Sequence, residues 1–197
     1  MIIPDPEFKL VRVNYKGISF WEKFKAVKDN PPNLQLTKDY RIGYSYKYNL
    51  VQPKDFITDL ASVPRLLWAV PGFSPSGPLA YGAIPHDFGY QYGYLLTERI
   101  PGVVFNESSM SLYEKFPDKF GELMPVFVGY GKEFFDGLLR DIVIEATGAT
   151  IIANSTKLAL DKFGHTVWNK YRAVGPSVYN FNSLMLPGLL NNGKLGF

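Results

Sequence analysis

One of the two histidines in the chain, His86, stands in the run IPHDFGYQYGY (84–94), directly before Asp87 and four residues before Tyr90. On a helix this spacing puts His86 and Tyr90 on one face, while Asp87 turns about 100° away. His86 and Asp87 are therefore not expected to pair easily, and a carboxylate that orients the imidazole has to come from elsewhere. Asp59, in FITDLASVPRLLW, and Asp136, in KEFFDGLLRDIV, are the candidates. An imidazole held by one carboxylate and facing a cleft could act as a general base. Two aspartates and one imidazole could equally hold a hard divalent ion, with water or backbone oxygens completing the shell. A core histidine beside a capping aspartate accounts for the same residues without any chemistry. Likewise Thr58, Asp59 and Ser62 read as turn and capping residues for a short helix opening at Pro64. The second histidine, His165 in FGHTVW, falls just past a helix C-terminus, where an imidazolium suits the helix dipole.

Composition narrows the classes. The chain has 197 residues, 46% hydrophobic and 20% charged, the balance of a globular protein able to bury a sizeable core. A net charge of +3 with scattered lysines shows no basic stripe, so specific nucleic-acid binding is not expected. The absence of cysteine excludes disulfides, thiolate metal sites and a cysteine nucleophile. No apolar run reaches the length of a membrane span. The start, MIIPDPEFKL, has neither a basic nor an apolar leader region, so synthesis in a cytoplasm without a signal peptide is expected.

The elements that must position these residues follow from pattern. FKLVRVNY (8–15) alternates as a strand, and YRIGYSYKYNLVQP resumes period two with Tyr40, Ile42, Tyr44, Tyr46 and Tyr48 on one side. A proline-rich connector follows, with a short helix from Pro64 to Val70. LAYGAIPHDFGYQYGYLL has poor helix propensity, with Gly82, Pro85, Gly89 and Gly93 inside it, and reads as a helix starting near Pro85 or one kinked there. Residues 97–128 give no firm element. GKEFFDGLLRDIVIEATG is the cleanest helix and stops at Gly148, and TIIANSTKLALDKFG is a second, ending at Gly164. The fold class expected is α+β: a small antiparallel N-terminal sheet, a proline-rich connector, then three or more helices. Residues 1–172 make one domain, with 1–55 mainly strands and 56–172 carrying the motifs on helices.

TDLASVPRLLW, then HDFGY, then KEFFDGLLRDIV and KLALDKFGHTVW, resemble a phage-encoded domain-of-unknown-function family, number 1353. Thr58, Asp59, Ser62, Pro64, His86, Asp87 and Tyr90 match its Thr-Asp-x-x-Ser-x-Pro and His-Asp-x-x-Tyr segments. Lys132 with Asp136 corresponds to its third element, and Gly164 with Trp168 to its fourth. The likeness spans about residues 45–172; the long 97–128 stretch and the apolar tail depart from it. It implies a bacteriophage or prophage origin, near tail or lysis genes, with no settled chemistry. The His-Asp-x-x-Tyr run is also similar to that of calcium-dependent phospholipases, but PGFSPSGP lacks their glycine pattern. The His-Asp phosphohydrolases need further upstream histidines, and no spacing supports a zinc peptidase built on His86 and His165.

Two functions follow as expectations. One is a virion-associated tail component partnered by other phage structural subunits. The other is a hydrolase with His86 as general base beside Asp59 and Asp136, with Asp87 and Tyr90 in the site and Thr58, Ser62 and Pro64 shaping it, acting on an envelope polymer or lipid. Either way the clustered arrangement places His86 within hydrogen-bonding reach of Asp59 or Asp136, partly buried beside a cleft. A divalent metal is an open possibility for that site.

The C-terminal segment 173–197 is nearly uncharged and carries Tyr179, Phe181, Leu184, Met185, Leu186, Leu189, Leu190 and Phe197. Burying one such side chain contributes about 1.5–3 kcal/mol, so the segment is expected to dock on its own domain or on a partner. Deleting residues 176–197 should lower solubility or abolish assembly in size-exclusion chromatography. A truncated protein that stays monodisperse and still assembles would refute docking.

Overall fold

The computed structural model describes residues 2–11, 33–44, 49–58, 77–98 and 103–173. The expected short helix at Pro64–Val70, the strand continuation beyond Val11 and the apolar tail lie outside these residues. The architecture is α+β, with antiparallel sheets and helices as expected. Strands β1 (Phe8–Val11), β2 (Asn33–Leu36) and β5 (Ile57–Thr58) form a small sheet in the order β1-β2-β5. A second sheet has the order β3-β4-β6-β7, from β3 (Tyr40–Gly43), β4 (Asn49–Gln52), β6 (Leu95–Glu98) and β7 (Leu123–Val126). Among the described residues the helices are α1 (Ala80–Tyr92), α2 (Glu107–Lys115), α3 (Pro117–Phe120), α4 (Lys132–Thr147), α5 (Thr150–Phe163) and α6 (His165–Ala173).

Several sequence expectations change. The tyrosine row is not one strand: β3 and β4 pair antiparallel with Tyr40 opposite Gln52 and Gly43 opposite Asn49, so the chain reverses between them. Burial alternates on β3, where Tyr40 and Ile42 are buried and Arg41 is exposed, but not on β4, where Leu50, Val51 and Gln52 are all buried. The 97–128 stretch is structured. Asn106 caps α2 by accepting from the Ser109 amide at 2.8 Å, and Pro125 is tolerated in β7 because β7 is an edge strand. Strands β6 and β7 also place part of the sheet inside the nominally helical half. Finally, Gly164 stays right-handed (φ −69°, ψ −20°), so His165 opens α6 instead of trailing a helix end, and its side chain is exposed.

Helix α1 is the centre of the molecule. Every residue in it except Tyr81 is buried, and it packs on α4, on both sheets and on α6. It begins five residues before Pro85. Proline there removes the amide that would bond the Tyr81 carbonyl, and the Tyr40 hydroxyl on β3 donates to that carbonyl instead, at 3.3 Å. The glycines have tertiary reasons. A Cβ at Gly82 would come 2.6 Å from the Leu139 carbonyl oxygen, and one at Gly89 would enter the Phe135 ring. The backbones of α1 and α4 therefore approach closely at Gly82, and at Gly89 a ring of α4 fills the place of a side chain. Gly93 ends α1 in the left-handed region, φ 79°. The main core lies between the four-stranded sheet and this helix pair, built on Leu36, Ile42, Leu50, Phe88, Leu95 and Phe135.

Because the obstacle at Gly82 is backbone, relaxation there is costly. Gly82→Ala is expected to lose about 1–3 kcal/mol by overpacking, although alanine is the better helix former. Urea denaturation measures it; an alanine variant more stable than wild type would show that the helices can part.

Candidate functional site

Two helices bring the chemistry together. On α1, His86 and Tyr90 lie one turn apart, their rings 4.0 Å between centroids and tilted by 35°. On α4, Lys132 and Asp136 lie one turn apart and face them. Asp136 is the hub. Its Oδ1 is 3.0 Å from His86 Nε2 and accepts from the Tyr90 hydroxyl at 2.7 Å, while its Oδ2 accepts from the Lys132 ammonium. Lys132 also donates to the Leu160 carbonyl on α5 at 3.1 Å, so one ammonium ties α4 to α5 as well as to Asp136.

The other edge of the imidazole meets Asp87, whose Oδ1 lies 3.5 Å from His86 Nδ1. Here the sequence expectation needs correcting: neighbours on a helix splay by about 100°, yet the ring leans far enough for its second nitrogen to face the adjacent carboxylate. At this length the contact is electrostatic more than a formed hydrogen bond. The hydroxyl of Thr58, at the end of β5, donates to Asp87 Oδ2 and fixes that carboxylate.

Burial is deeper than expected. His86 is 1% exposed and Asp136 0%, where a partly buried ring beside a cleft was anticipated. Lys132, Tyr90, Asp87 and Thr58 are buried too. Burial alone pulls the His86 pKa down, but the hydrogen bonds to Asp136 and then Asp87, with both negative charges, outweigh it and leave it raised. Burial would lift the Asp136 carboxyl; the bonds from His86, Lys132 and Tyr90 overcome that and hold it low. The Tyr90 phenol is driven up by burial and by Asp136. The His86 imidazolium and the Asp136 carboxylate thus favour each other's charged form.

The fourth motif closes the arrangement. Trp168 on α6 meets Tyr90 edge-on at 5.2 Å and lies 5.7 Å from the Phe135 ring. Arg172 covers Trp168 at 4.7 Å and donates to the Tyr90 carbonyl at 2.6 Å, supplying a cation to the last turn of α1.

Of the site residues expected from sequence, His86, Asp87, Tyr90, Asp136 and Thr58 come together. Asp59, Ser62 and Pro64 lie outside the described residues. Sequence reasoning undervalued Lys132 and overlooked Arg172; the signal for Lys132 was its place four residues before Asp136 on the most regular helix. Asp87 and Asp136 face opposite nitrogens of the ring, so a single cation could not be shared among all three. Among the described residues no group of three His, Cys, Asp or Glu side chains is arranged to hold a metal ion.

Residues 34–115 match the model of a family described as Protein of unknown function (DUF1353), the family that the motifs resemble. The match runs from β2 to α2 and takes in Thr58, His86, Asp87 and Tyr90. Lys132, Asp136, Gly164 and Trp168 lie beyond it. No curated protein and no solved structure matches the chain.

The charge state gives a signed expectation. His86, raised from 6.5, contributes stability that is fully present below that pH and lost as pH rises through its folded value. Asp136, lowered from 3.8, contributes stability present above that pH and lost as pH falls through its folded value. The melting-temperature gap between wild type and His86→Asn should therefore narrow as pH is raised from about 6 to about 9. A constant gap would rule out the imidazolium. Lys132→Met, which strands a buried carboxylate, is expected to cost about 3–5 kcal/mol in denaturant unfolding.

Proposed function

We propose that this chain is a bacteriophage virion-associated protein, a tail or tail-associated component, in which the His86 cluster serves as a buried clasp and not as a turnover site. The observation that carries the non-catalytic half is the closure of the cluster on itself. Both imidazole nitrogens face carboxylates, both Asp136 oxygens are taken, and His86 is 1% exposed. A general base has to bring a nitrogen within reach of a substrate proton, and neither nitrogen here is turned outward. The phage and tail half is supported by the likeness of the Thr58–Pro64 and His86–Tyr90 segments to a phage-encoded family. Contact with other structural subunits is supported by exposed apolar side chains on α5 and α6: Ile151, Leu158, Phe163 and Val167. Among the described residues no helix is long and apolar enough to cross a membrane.

A second reading, a phage-encoded hydrolase of an envelope polymer or lipid, draws on one feature. Thr58, Asp87, His86 and Asp136 are linked in the order hydroxyl, carboxylate, imidazole, carboxylate, the kind of series that activates a nucleophile. For that chemistry the clasp would have to open.

Mass spectrometry of gradient-purified particles separates the two. The chain is expected in the particle, and purified protein is expected to release no soluble product from sacculi or envelope lipid. Absence from the particle overturns the virion assignment. Product release that disappears in a folded His86→Gln variant would replace the clasp with the hydrolase.

A further inference from the structure

Among the described helices α6 alone has no fully buried residue, yet it touches the clasp. Its contacts recur every four residues, along one side of the helix. A Cβ at Gly164 would come 2.7 Å from the Tyr90 hydroxyl oxygen, Trp168 meets the Tyr90 ring edge-on, and Arg172 donates to the Tyr90 carbonyl. One stripe thus follows a single residue of α1 from its hydroxyl to its backbone, and that hydroxyl donates to Asp136. The residues between these contacts, His165, Thr166, Val167, Asn169 and Lys170, are exposed.

The docked state carries a cost of its own. Arg172 is seated against Gly93, where a Cβ would fall 1.9 Å from its Nη1. Its Nε is buried with no hydrogen-bond partner. Among the described residues no carboxylate pairs with the guanidinium, and burial lowers its pKa. A cation held out of water with a donor unanswered is unfavourable, and release of α6 restores its hydration. Helix α5 is rooted differently. Its Ala153, Thr156 and Leu160 are buried, and the Leu160 carbonyl holds the Lys132 ammonium. Between the rooted helix and the lightly held one stands Gly164, an element-terminal residue of the kind that absorbs a change in φ and ψ.

We propose that α6 is a releasable cover on the clasp: it leaves while α1, α4 and α5 stay folded, and its departure admits water to the edge formed by Tyr90, Asp136 and His86. A segment with few buried contacts opens at a lower free energy than the core. At nine residues α6 does not persist as a helix once undocked, so release also melts it. The inference rests on the reading of the cluster as a buried clasp and gives that clasp a route to open. It holds or fails independently of the virion assignment, because it concerns the free protein.

Native-state hydrogen exchange on full-length protein, followed by NMR in mildly acidic buffer, reads both halves. The chain has two histidines, so the ring N–H signals are few. The α6 amides and the His86 ring proton are expected to share one opening free energy. That opening should occur at least about a hundredfold more often than the opening that exposes the amides of α1 and α4. Ile42→Val weakens the sheet side of the core whether α6 is docked or not. It should speed the α4 amides several-fold and leave α6 and the His86 proton unchanged. Trp168→Ala, which removes the ring contacts to Tyr90 and Phe135, should speed α6 and the His86 proton on the order of tenfold. Amides of α6 as protected as those of α1 overturn the cover. So does a His86 proton that exchanges only with the core, follows it in Ile42→Val, or exchanges more readily than α6 opens.

Discussion

A carboxylate with no surface in water organises this protein. Asp136 could not remain ionised there without compensation, since burying a lone charge costs far more than a domain's net stability. It is answered by three donors, from His86 and Tyr90 on α1 and from Lys132 on its own helix. Meeting that demand fixes the register of α1 against α4 and brings the helices close enough that Gly82 and Gly89 cannot carry side chains. It also fixes the position of α5, through the Leu160 carbonyl on Lys132. Apolar residues of the same volume can often replace a buried ion network without loss, so the cluster by itself is weak evidence of stability, whereas removing one partner from it is costly.

The elements legible in the sequence were those whose local preference agrees with their final surroundings. Helices α4 and α5 could be read from their spacing, to within a residue or two of their ends. Helix α1 was recognised with its start left open, near Pro85 or earlier, because Pro85 and the glycines argue locally against a helix; the longer alternative is the one that forms. What overrules them is distant: the Tyr40 hydroxyl on the orphaned carbonyl, and α4 pressed against the glycines. The 97–128 stretch was missed for a related reason, since Pro125 is acceptable only at a sheet edge, and an edge is a property of the whole sheet.

Within the site, residue types were more legible than geometry. His86, Tyr90 and Asp136 could be chosen from spacing and chemistry. The contact between His86 and Asp87 was judged unfavourable from ideal helix angles, and a modest lean of the ring reversed that. Depth was not legible at all. A histidine beside an aspartate reads the same whether it lines a cleft or is buried, and contacts such as those of Trp168 and Arg172 with the neighbouring Tyr90 come from a helix some 80 residues away.

The clasp joins residues 50 positions apart in the chain, and this separation has a consequence for synthesis. A ribosome releases α1, with His86 and Asp87, well before Asp136 emerges. During that interval α1 has its sheet partners but not the wall that balances its charge and fills the space above Gly89. The last core layer can form only once α4 has left the exit tunnel, so the nascent chain passes through a stage in which its central helix has an apolar, glycine-notched side uncovered by α4. Vectorial synthesis thus makes α4 the element whose arrival commits the chain to its fold.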